Sequence, residues 1–264
     1  NRIGMIVDIN PLEDDAVEQV EYYAKKKDVD GIKLYPSRYQ NGRDLSLQLN
    51  EDTVRPVLEK AADMDIGTVG IHKFIPFATA PTKYFRIDDV EEAALAFPEL
   101  NFEVIHAGFS FLEETVFAMA SHDNVYANIE NTAHMACSRP KKFARSLGEM
   151  LYWAGPERIV FSSGATALHP QPPIDAIWDF EMPEDLRAGE DYPEVTQEDK
   201  QKILGKNKLR MMGKDPEQVK KDIKGDKWNQ KIQTLKEQGE YPAPPWSTYE
   251  EPTEDASKER VKFV

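Results

Sequence analysis

Short apolar runs alternate with segments of helical periodicity along residues 2–213. The pattern is clearest between residues 101 and 131, where the run FEVIHAG is followed by helical spacing from Phe109 to Ala120 and then by the run NVYANIEN. Apolar runs of four to eight residues are typical of buried strands, and apolar positions three and four apart are typical of helices. This stretch therefore predicts a strand, a helix and a second strand, with polar side chains at the carboxyl ends of both strands.

The same unit recurs along the chain and gives six strands in all. We expect strands near residues 2–9, 29–36, 68–74, 102–107, 124–130 and 158–163. Helical spacing predicts helices near residues 12–27, 51–64, 88–96, 109–120, 140–153 and 196–212, and the proline-rich stretch 164–186 is interpreted as a long loop. Strands and helices in alternation are typical of a parallel sheet with right-handed crossovers.

Two parallel architectures fit this order of elements: an open doubly wound sheet and an incomplete eight-fold barrel. Nucleotide-binding doubly wound folds carry a glycine-rich phosphate loop after a strand. Neither GxGxxG nor GxxxxGKS/T occurs in the sequence, so the barrel is the better interpretation. We therefore expect an α/β, TIM-barrel-like (β/α)8 domain over residues 1–213, with the first two of the eight units absent from this chain.

The composition changes after Gly213. Residues 215–238 are mostly charged or amide side chains, and residues 240–264 are acidic and rich in proline but keep tyrosine and tryptophan. A segment of this kind cannot form a core of its own, whereas its aromatic side chains gain from burial. We expect residues 214–264 to form a helical and extended arm that lies on the barrel or on a neighbouring subunit, and hence a homo- or hetero-oligomer.

The formal net charge of −14 limits the kinds of molecule that this protein is expected to bind. An acidic protein is a poor partner for nucleic acid or anionic membrane, and no apolar run approaches the roughly 18 residues of a membrane span. Cys137 is the only cysteine in the sequence, which excludes an internal disulfide framework and is typical of a reducing compartment. Because no signal-peptide pattern opens the sequence, we expect a cytoplasmic protein whose ligand is a small molecule.

Histidines end two successive predicted strands. His72 follows TVGI and His106 follows FEVI, and because side chains alternate along a strand, both can point into a barrel mouth. Two imidazoles on neighbouring strands suit a divalent cation such as zinc, manganese or iron, or one metal ligand and one base. The alternative is a pair of structural histidines with satisfied hydrogen bonds.

Other polar residues also end predicted strands. Lys33 ends an earlier strand, where it would anchor a substrate, be carboxylated, or form a buried ion pair. Glu130 and Asn128 end the strand after His106, and a carboxylate there would bind metal, act as an acid or base, or pair with a cation. Further basic residues are candidates for contact with an anionic substrate: Arg38, Arg43, Lys73 and, on a later loop, His169.

Several segments, taken in order, resemble one enzyme family. They are GIKLYP, the strand that ends at His72, IHAG at His106, DNVYANIEN, ERIVFSSG and KILGKNKLRMMG. Over residues 2–213 their order and spacing are similar to those of the amidohydrolase-related metal-dependent hydrolases and decarboxylases, barrels related to aminocarboxymuconate semialdehyde decarboxylase. The resemblance implies a TIM barrel with a divalent metal, His72 as a metal ligand, and His106 as a ligand or as the residue that activates water or substrate.

The chain departs from the pattern of that family at two places. The family carries a His-x-His pair on its first barrel strand, and this chain has no such motif. The family's eighth strand ends in Gly-Ser-Asp, whose aspartate binds or positions the metal, whereas Gly164 follows Ser162 and Ser163 here. Loss of this carboxylate removes a metal ligand and a base for metal-bound water, which weakens the case for a standard hydrolytic centre within this one chain.

These observations lead to one expected function and two alternatives. The sequence has no GxSxG motif and Cys137 has no base at motif spacing, so covalent serine or cysteine catalysis is not expected. We expect a subunit of a metal-dependent enzyme that hydrolyses or decarboxylates a small carboxylated substrate, with His106 and Glu130 as catalytic residues and His72 and His106 as metal ligands. The expected substrate-binding residues are Lys33, Arg38, Lys73 and His169. The alternatives are a degenerate subunit that supports a catalytic partner, and a component of a metal-dependent oxygenase built on the same fold.

Overall fold

The main sheet of this protein has six parallel strands. The structure, a computed structural model, describes residues 4–27, 29–36, 39–40, 43–75, 80–165 and 169–240. The strands in chain order are β1 (Ile6–Asp8), β2 (Gly31–Leu34), β3 (Tyr39–Gln40), β4 (Arg43–Asp44), β5 (Thr68–His72), β6 (Asn101–Ile105), β7 (Val125–Asn128) and β8 (Ile159–Val160). The parallel sheet has the order β1-β2-β5-β6-β7-β8, and β3 pairs with β4 in a short antiparallel hairpin. All six predicted parallel strands are confirmed, in shorter form.

Helices follow the strands, as the periodicity predicts. In chain order they are α1 (Ala16–Lys27), α2 (Arg55–Asp63), α3 (Asp88–Ala96), α4 (Leu112–Ser121), α5 (Met135–Ser138), α6 (Pro140–Ala154), α7 (Gln171–Trp178), α8 (Glu184–Glu190), α9 (Gln197–Gln201), α10 (Asn207–Met211), α11 (Pro216–Lys224) and α12 (Lys227–Glu237). None of the helices in the described ranges has the length and apolar character needed to cross a membrane.

The prediction of a long loop over residues 164–186 is wrong in part. The whole of α7 and the start of α8 lie within this stretch. Pro172 and Pro173 stand in the first turn of α7, where the backbone N–H groups have no partner within the helix and proline is tolerated. The cluster of prolines therefore marks the beginning of a helix rather than its absence.

The strand register divides the sheet into an apolar face and a polar face. Side chains alternate between the two faces along each strand, and in-register neighbours on adjacent strands share a face. The apolar face consists of buried side chains: Ile32, Leu34, Val69, Ile71, Phe102, Val104, Val125 and Ala127. The polar face carries the remaining positions of the same strands, most of which are polar or glycine: Gly31, Lys33, Thr68, Gly70, His72, Asn101, Glu103, Ile105, Tyr126 and Asn128. The candidate chemistry is thus confined to one face.

The β8 edge of the sheet is covered by a helix. The helix α9 continues through a π-helical segment, Lys202–Lys206, into α10. The carbonyl oxygen of Ile203 in that segment accepts a hydrogen bond from the backbone N–H of Phe161 (2.9 Å), and the Asn207 side chain donates to the carbonyl oxygen of Ile159 (2.8 Å). These bonds satisfy backbone groups that an edge strand otherwise leaves unpaired. Within the described ranges the sheet does not close into a barrel, and β1 is its other edge.

The chain divides into two compact units, residues 1–221 and 222–264. The first unit contains the sheet and helices α1 to α10. In the second unit, the Asp226 side chain caps α12 by accepting the backbone N–H of Asn229 (2.8 Å). The division at residues 213 and 214 stays a prediction, and residues 241–264, which include most of the predicted extended arm, lie outside the described residues.

A buried ion pair joins the end of β5 to the start of α3. Lys73, which follows His72, is fully buried, and its ammonium group donates to Asp89 Oδ1 (2.6 Å) and to the carbonyl oxygen of Tyr84 (3.1 Å). Asp89 Oδ2 accepts the backbone N–H of Leu49 (2.9 Å). Burial lowers the pKa of Lys73, and the Asp89 carboxylate opposes that shift. The pair fixes the backbone that carries His72.

Removal of one partner of this pair should destabilise the fold more than removal of both. Lys73→Met leaves the Asp89 carboxylate buried without a cation, so we expect the free energy of unfolding to fall by about 3–5 kcal/mol. The double variant Lys73→Met/Asp89→Asn keeps an acceptor for the Leu49 N–H and buries no charge. Its free energy of unfolding should therefore fall markedly less than that of the single variant. Urea denaturation at pH 7 measures both losses, and equal losses in the two variants would contradict this account.

Candidate active site

His72 and His106 stand at the carboxyl ends of the neighbouring strands β5 and β6, but the register sets them one residue apart. His72 lies beside Ile105, and His106 is the next residue along. By simple alternation the His106 side chain would point to the apolar face, away from His72. Its backbone instead adopts the left-handed conformation, with φ of 69°. This local turn brings the His106 ring to the same side as the His72 ring.

The backbone around His106 is strained. A left-handed conformation costs a residue other than glycine roughly 1–2 kcal/mol, and such conformations cluster at functional sites because the surrounding structure must hold them in place. Asn131 also has a positive φ, of 59°, and its side-chain amide lies 3.3 Å from Nδ1 of His106. His106 and Asn131 share the left-handed conformation and contact one another, and the strain at His106 marks this end of the sheet as a candidate site.

The two imidazoles form one buried unit. Nε2 of His106 lies 3.2 Å from Nδ1 of His72, and the rings meet edge to face with centroids 4.6 Å apart. The Tyr35 ring stacks on His72 with centroids 5.3 Å apart. Only 6% of His72 and 4% of His106 is exposed. The structure therefore brings together the two histidines that the sequence singled out.

The outer nitrogens of both rings face backbone carbonyl groups. Nε2 of His72 lies 2.9 Å from the carbonyl oxygen of Ile75, and Nδ1 of His106 lies 3.4 Å from that of Glu130. A ring nitrogen must carry a proton to donate to a carbonyl oxygen. With both protons there, Nδ1 of His72 and Nε2 of His106 turn lone pairs toward each other. In the other tautomer of His106, Nδ1 accepts from Asn131 and Nε2 donates to His72.

Two facing lone pairs at this separation fit a divalent cation. Two nitrogen ligands of a tetrahedral zinc ion lie roughly 3.3 Å apart, given Zn–N distances of about 2.0–2.1 Å. Histidines that bind metals characteristically donate their second N–H to a carbonyl or carboxylate group, and the carbonyl groups of Ile75 and Glu130 are placed for this. Within the described ranges, no group of three or more histidine, cysteine or carboxylate side chains could hold a metal ion. The described residues thus supply two ligands.

Burial lowers the pKa of both histidines to about 4. Loss of solvation is the largest cause for each ring, followed for His72 by the charge that His106 would carry. The Lys33 ammonium group lowers both pKa values further, while the carbonyl groups of Ile75 and Glu130 act in the opposite direction. Both imidazoles are therefore neutral at pH 7, which is the state that a metal ligand or a general base requires.

A cavity of about 590 Å³ lies beside the histidine pair. Tyr35, whose ring stacks on His72, and Glu130, whose carbonyl oxygen faces His106, both belong to its wall. The described residues that line the cavity are Lys33, Tyr35, Glu130, Phe161, Ser162, Ser163, Gly164, Ala165 and Pro170. The volume lies in the range of small-molecule sites.

The described wall of the cavity carries one cation and one carboxylate, those of Lys33 and Glu130. Lys33 Nζ lies 4.8 Å from the centre of the Tyr35 ring, a cation–π contact. Glu130 is half-buried, and its backbone N–H donates to Asn128 Oδ1 (2.9 Å). An ammonium group suits the carboxylate of a substrate, and a carboxylic acid suits proton transfer. Both charged groups of the wall were predicted from the sequence.

The structure corrects the prediction that Lys73 binds an anionic substrate. Its ammonium group is fully buried and paired with Asp89, so a ligand cannot reach it without breaking that ion pair. Alternation gives the physical reason, because Lys73 directly follows His72 and therefore points to the opposite face of the sheet. The side chain stabilises the strand end instead of contacting the ligand.

The other predicted substrate-binding residues are not part of the described cavity wall. His169 is exposed, and its Nδ1 accepts the backbone N–H of Gln171 (3.1 Å), next to Pro170 of the wall. Its closure over a ligand stays a prediction. Arg38 lies outside the described residues, as does the side chain of Arg43.

Among the residues of the site that the sequence did not single out are Tyr35, Asn131 and Ser162. Tyr35 follows Lys33 by two residues, so the period of a strand places both on one face and gives a usable signal. Ser162 lies two residues beyond the end of β8, and Asn128 Nδ2 donates to its Oγ (2.8 Å). Asn131 has no comparable signal, because its role depends on its backbone conformation.

Gly164 stands where the resemblance implies an aspartate. Its φ is 56°, and a Cβ atom at this position would lie 3.1 Å from Asn131 Oδ1 and 3.3 Å from Glu130 Oε1. A side chain here would require the Asn131 and Glu130 side chains to shift by a few tenths of an ångström, and the positive φ favours glycine over other residues. The Glu130 carboxylate therefore lies next to the space that an aspartate side chain would occupy.

Comparison with known proteins gives a family match over most of the chain. The sequence model of the amidohydrolase family matches residues 2–214. No curated protein matches the chain. The match confirms the resemblance drawn from the ordered motifs.

Solved structures confirm the barrel-like fold. 2,6-Dihydroxybenzoate decarboxylase from Rhizobium is 14% identical, with a TM-score of 0.54 over 78% of this chain and 69% of that chain. An uncharacterised TIM-barrel protein from Bordetella bronchiseptica is 13% identical, with a TM-score of 0.59 over 80% of this chain and 68% of that chain. A dihydroxybenzoic acid decarboxylase from a Polaromonas species, with bound manganese and the inhibitor 2-nitroresorcinol, is 14% identical, with a TM-score of 0.52 over 75% of this chain and 65% of that chain.

The lowered histidine pKa values should make the metal-free fold sensitive to acid. Each histidine of the unfolded chain binds a proton near pH 6.5, whereas in the folded protein it does so only near pH 4. The unfolded state therefore binds more protons within this window, and stability falls as the pH falls through it. We expect chelator-treated protein to lose free energy of unfolding between about pH 6.5 and 4 by urea denaturation.

The double variant His72→Asn/His106→Asn is the matched control for this titration. Asparagine tolerates the left-handed backbone of residue 106 and does not titrate, while the other ionisable groups remain in place. The variant should show a smaller change in the free energy of unfolding across the same window. An equal change in parent and variant would contradict the assignment of the acid sensitivity to this pair.

Proposed function

The chain belongs to the amidohydrolase family, whose sequence model matches residues 2–214, and on this premise we propose that it is a metal-dependent enzyme for a small carboxylated substrate. The observation that carries the proposal is the neutral pair of His72 and His106 beside a cavity with Lys33 and Glu130 in its wall. We place decarboxylation first and hydrolysis second.

The cavity suits a planar aromatic carboxylate. Lys33 provides a positive charge for the carboxylate group, and Tyr35 and Phe161 provide aromatic surface for a ring. The solved decarboxylases from Rhizobium and Polaromonas are named for dihydroxybenzoates. That likeness supports hydroxybenzoates as the first class of substrate to test.

The metal ligands that this chain offers are Nδ1 of His72 and Nε2 of His106. Zinc, manganese and iron all accept imidazole ligands, and the Polaromonas neighbour contains manganese. A divalent cation held there would act as a Lewis acid toward an oxygen atom of the substrate. The carbonyl groups of Ile75 and Glu130 would hold both rings in the tautomer with free lone pairs.

Decarboxylation needs few groups from the protein. The bond between the substrate carbon and its carboxyl carbon breaks, carbon dioxide leaves, and the electron pair that stays behind takes up a proton at that carbon. Glu130 is the residue of the cavity wall that we assign to proton delivery, since a carboxylic acid can donate and then regain the proton from solvent. Lys33 orients the substrate by binding its carboxylate before the bond breaks.

Hydrolysis is the second candidate because Glu130 could also act as a base. In that reaction the Glu130 carboxylate, or His106, takes a proton from the attacking water. Gly164 removes the aspartate that would otherwise serve as such a base, whereas decarboxylation needs no attacking water. This difference is why we place decarboxylation first.

Release of carbon dioxide from hydroxybenzoates should test the proposal. We expect the purified protein with added manganese to release carbon dioxide from 2,6-dihydroxybenzoate or a related hydroxybenzoate, and to lose this activity after treatment with a chelator. Glu130→Gln keeps the shape of the side chain but not its acid, so kcat should fall by about 10²–10⁴-fold. Lys33→Met should mainly raise KM.

The matched control is His122→Asn. His122 lies just beyond the end of α4, with Nε2 3.6 Å from Glu91, and is not a cavity residue. Its replacement should leave kcat and KM close to those of the parent. Full activity of the Glu130→Gln variant would remove Glu130 from the mechanism, and absence of turnover across the hydroxybenzoates with manganese, zinc and iron would refute the decarboxylase proposal.

A further inference from the structure

A chain of polar side chains leads from inside the protein to the cavity. Glu103 is only 1% exposed and accepts hydrogen bonds from the Lys208 ammonium group and from Asn128 Nδ2 (2.7 Å). The same Asn128 amide nitrogen donates to Ser162 Oγ (2.8 Å). Ser162 belongs to the cavity wall. The mechanism above uses neither the Glu103 carboxylate nor the Ser162 hydroxyl.

The Glu103 carboxylate fixes the direction of these hydrogen bonds. A carboxylate only accepts, so Asn128 must turn its NH2 group, with two hydrogens, toward Glu103 and Ser162. The amide oxygen of Asn128 then accepts the backbone N–H of Glu130 (2.9 Å). The opposite orientation would place the amide oxygen against the carboxylate and the NH2 group against the backbone N–H. The Lys208 ammonium group compensates the buried negative charge.

Ser162 is therefore an acceptor toward Asn128, and its own hydrogen is left to donate elsewhere. Across the described ranges, the hydrogen bond of Ser162 Oγ is the one that it accepts from Asn128. A hydroxyl group has one hydrogen to donate and lone pairs to accept with. Because Ser162 lines the cavity, this hydrogen is available to a ligand that brings an acceptor.

We propose that Ser162 is a substrate-binding residue that donates a hydrogen bond to a carboxylate oxygen of the ligand. Glu103 and Asn128 are positioning residues: they make the Ser162 oxygen an acceptor toward Asn128, so that the hydroxyl hydrogen can be donated to the ligand. The inference rests on the proposed function for the class of ligand. Lys33 contributes charge from the same cavity wall, and Ser162 contributes a directional donor that favours an oxygen acceptor over an N–H or O–H group.

Single variants test the donor. The probe is 2,6-dihydroxybenzoate, titrated into the full chain with manganese by calorimetry. Ser162→Ala should raise Kd about tenfold, because a hydrogen bond to a charged group is lost, and Ser162→Thr should restore the affinity of the parent. Ser121→Ala replaces an exposed serine at the end of α4 and is the matched control, with a Kd unchanged within about twofold.

A double variant tests the positioning residues by reversing the direction of the hydrogen bonds that link Glu103, Asn128 and Ser162. In Glu103→Gln/Asn128→Asp an amide donates to a carboxylate at nearly unchanged shape and unchanged net charge. The new carboxylate then accepts the Ser162 hydrogen and removes it from the cavity. Addition of Ser162→Ala to this background should change Kd by less than about twofold, against about tenfold in the parent. Thermal melting with and without the changes verifies that the variants are folded.

The outcomes separate this inference from the proposed function. Unchanged affinity in Ser162→Ala overturns the donor role, even if carbon dioxide release is observed. A tenfold loss from Ser162→Ala in both backgrounds overturns the positioning role of Glu103 and Asn128. Binding that depends on Ser162 without any turnover supports the inference and refutes the decarboxylase proposal, and failure of the parent to bind the probe overturns the inference itself.

Discussion

The register of the parallel sheet determines which side chains of this protein can meet. With β5 and β6 aligned so that His72 lies beside Ile105, alternation gives one face to apolar side chains and the other to Lys33, His72, Glu103 and Asn128. His106 breaks the alternation through its left-handed backbone and so joins His72. A shift of the register by one residue would bury the polar side chains among the apolar core and dissolve the site.

The register of the sheet also links the stability of the fold to the geometry of the candidate active site. Apolar side chains on the covered face hold the strands in register, and the fully buried pair of Lys73 and Asp89 anchors the residue directly after His72. On the polar face the buried Glu103 carboxylate accepts hydrogen bonds from Lys208 and Asn128, and each imidazole ring lies against a backbone carbonyl group. Rigid partners of this kind keep the ring nitrogens and the Ser162 hydroxyl in fixed directions, which binding and catalysis require.

Local patterns in the sequence were enough for the six strands and most helices, because strand period and strand ends are local properties. The strand ends also brought His72 and His106 to one end of the sheet, but the contact between their rings depends on the left-handed backbone of His106. The order of the motifs also gave the amidohydrolase family. The burial of Lys73 beside Asp89 could not be read in this way, since it depends on packing between residues that are 16 positions apart. The donor role of Ser162 depends on a bond across 34 positions, and the left-handed backbone of His106 has no sequence signal of its own.

The central claim is that His72 and His106 share one divalent cation. X-ray absorption spectroscopy of the zinc-loaded protein reports directly on the ligands of the ion, because coordinated imidazole rings give characteristic scattering. For the parent the account predicts two imidazole ligands per zinc ion, and for His106→Asn, which tolerates the same backbone conformation, it predicts one. A zinc spectrum without imidazole ligands, or an equal number of them in parent and variant, would contradict it.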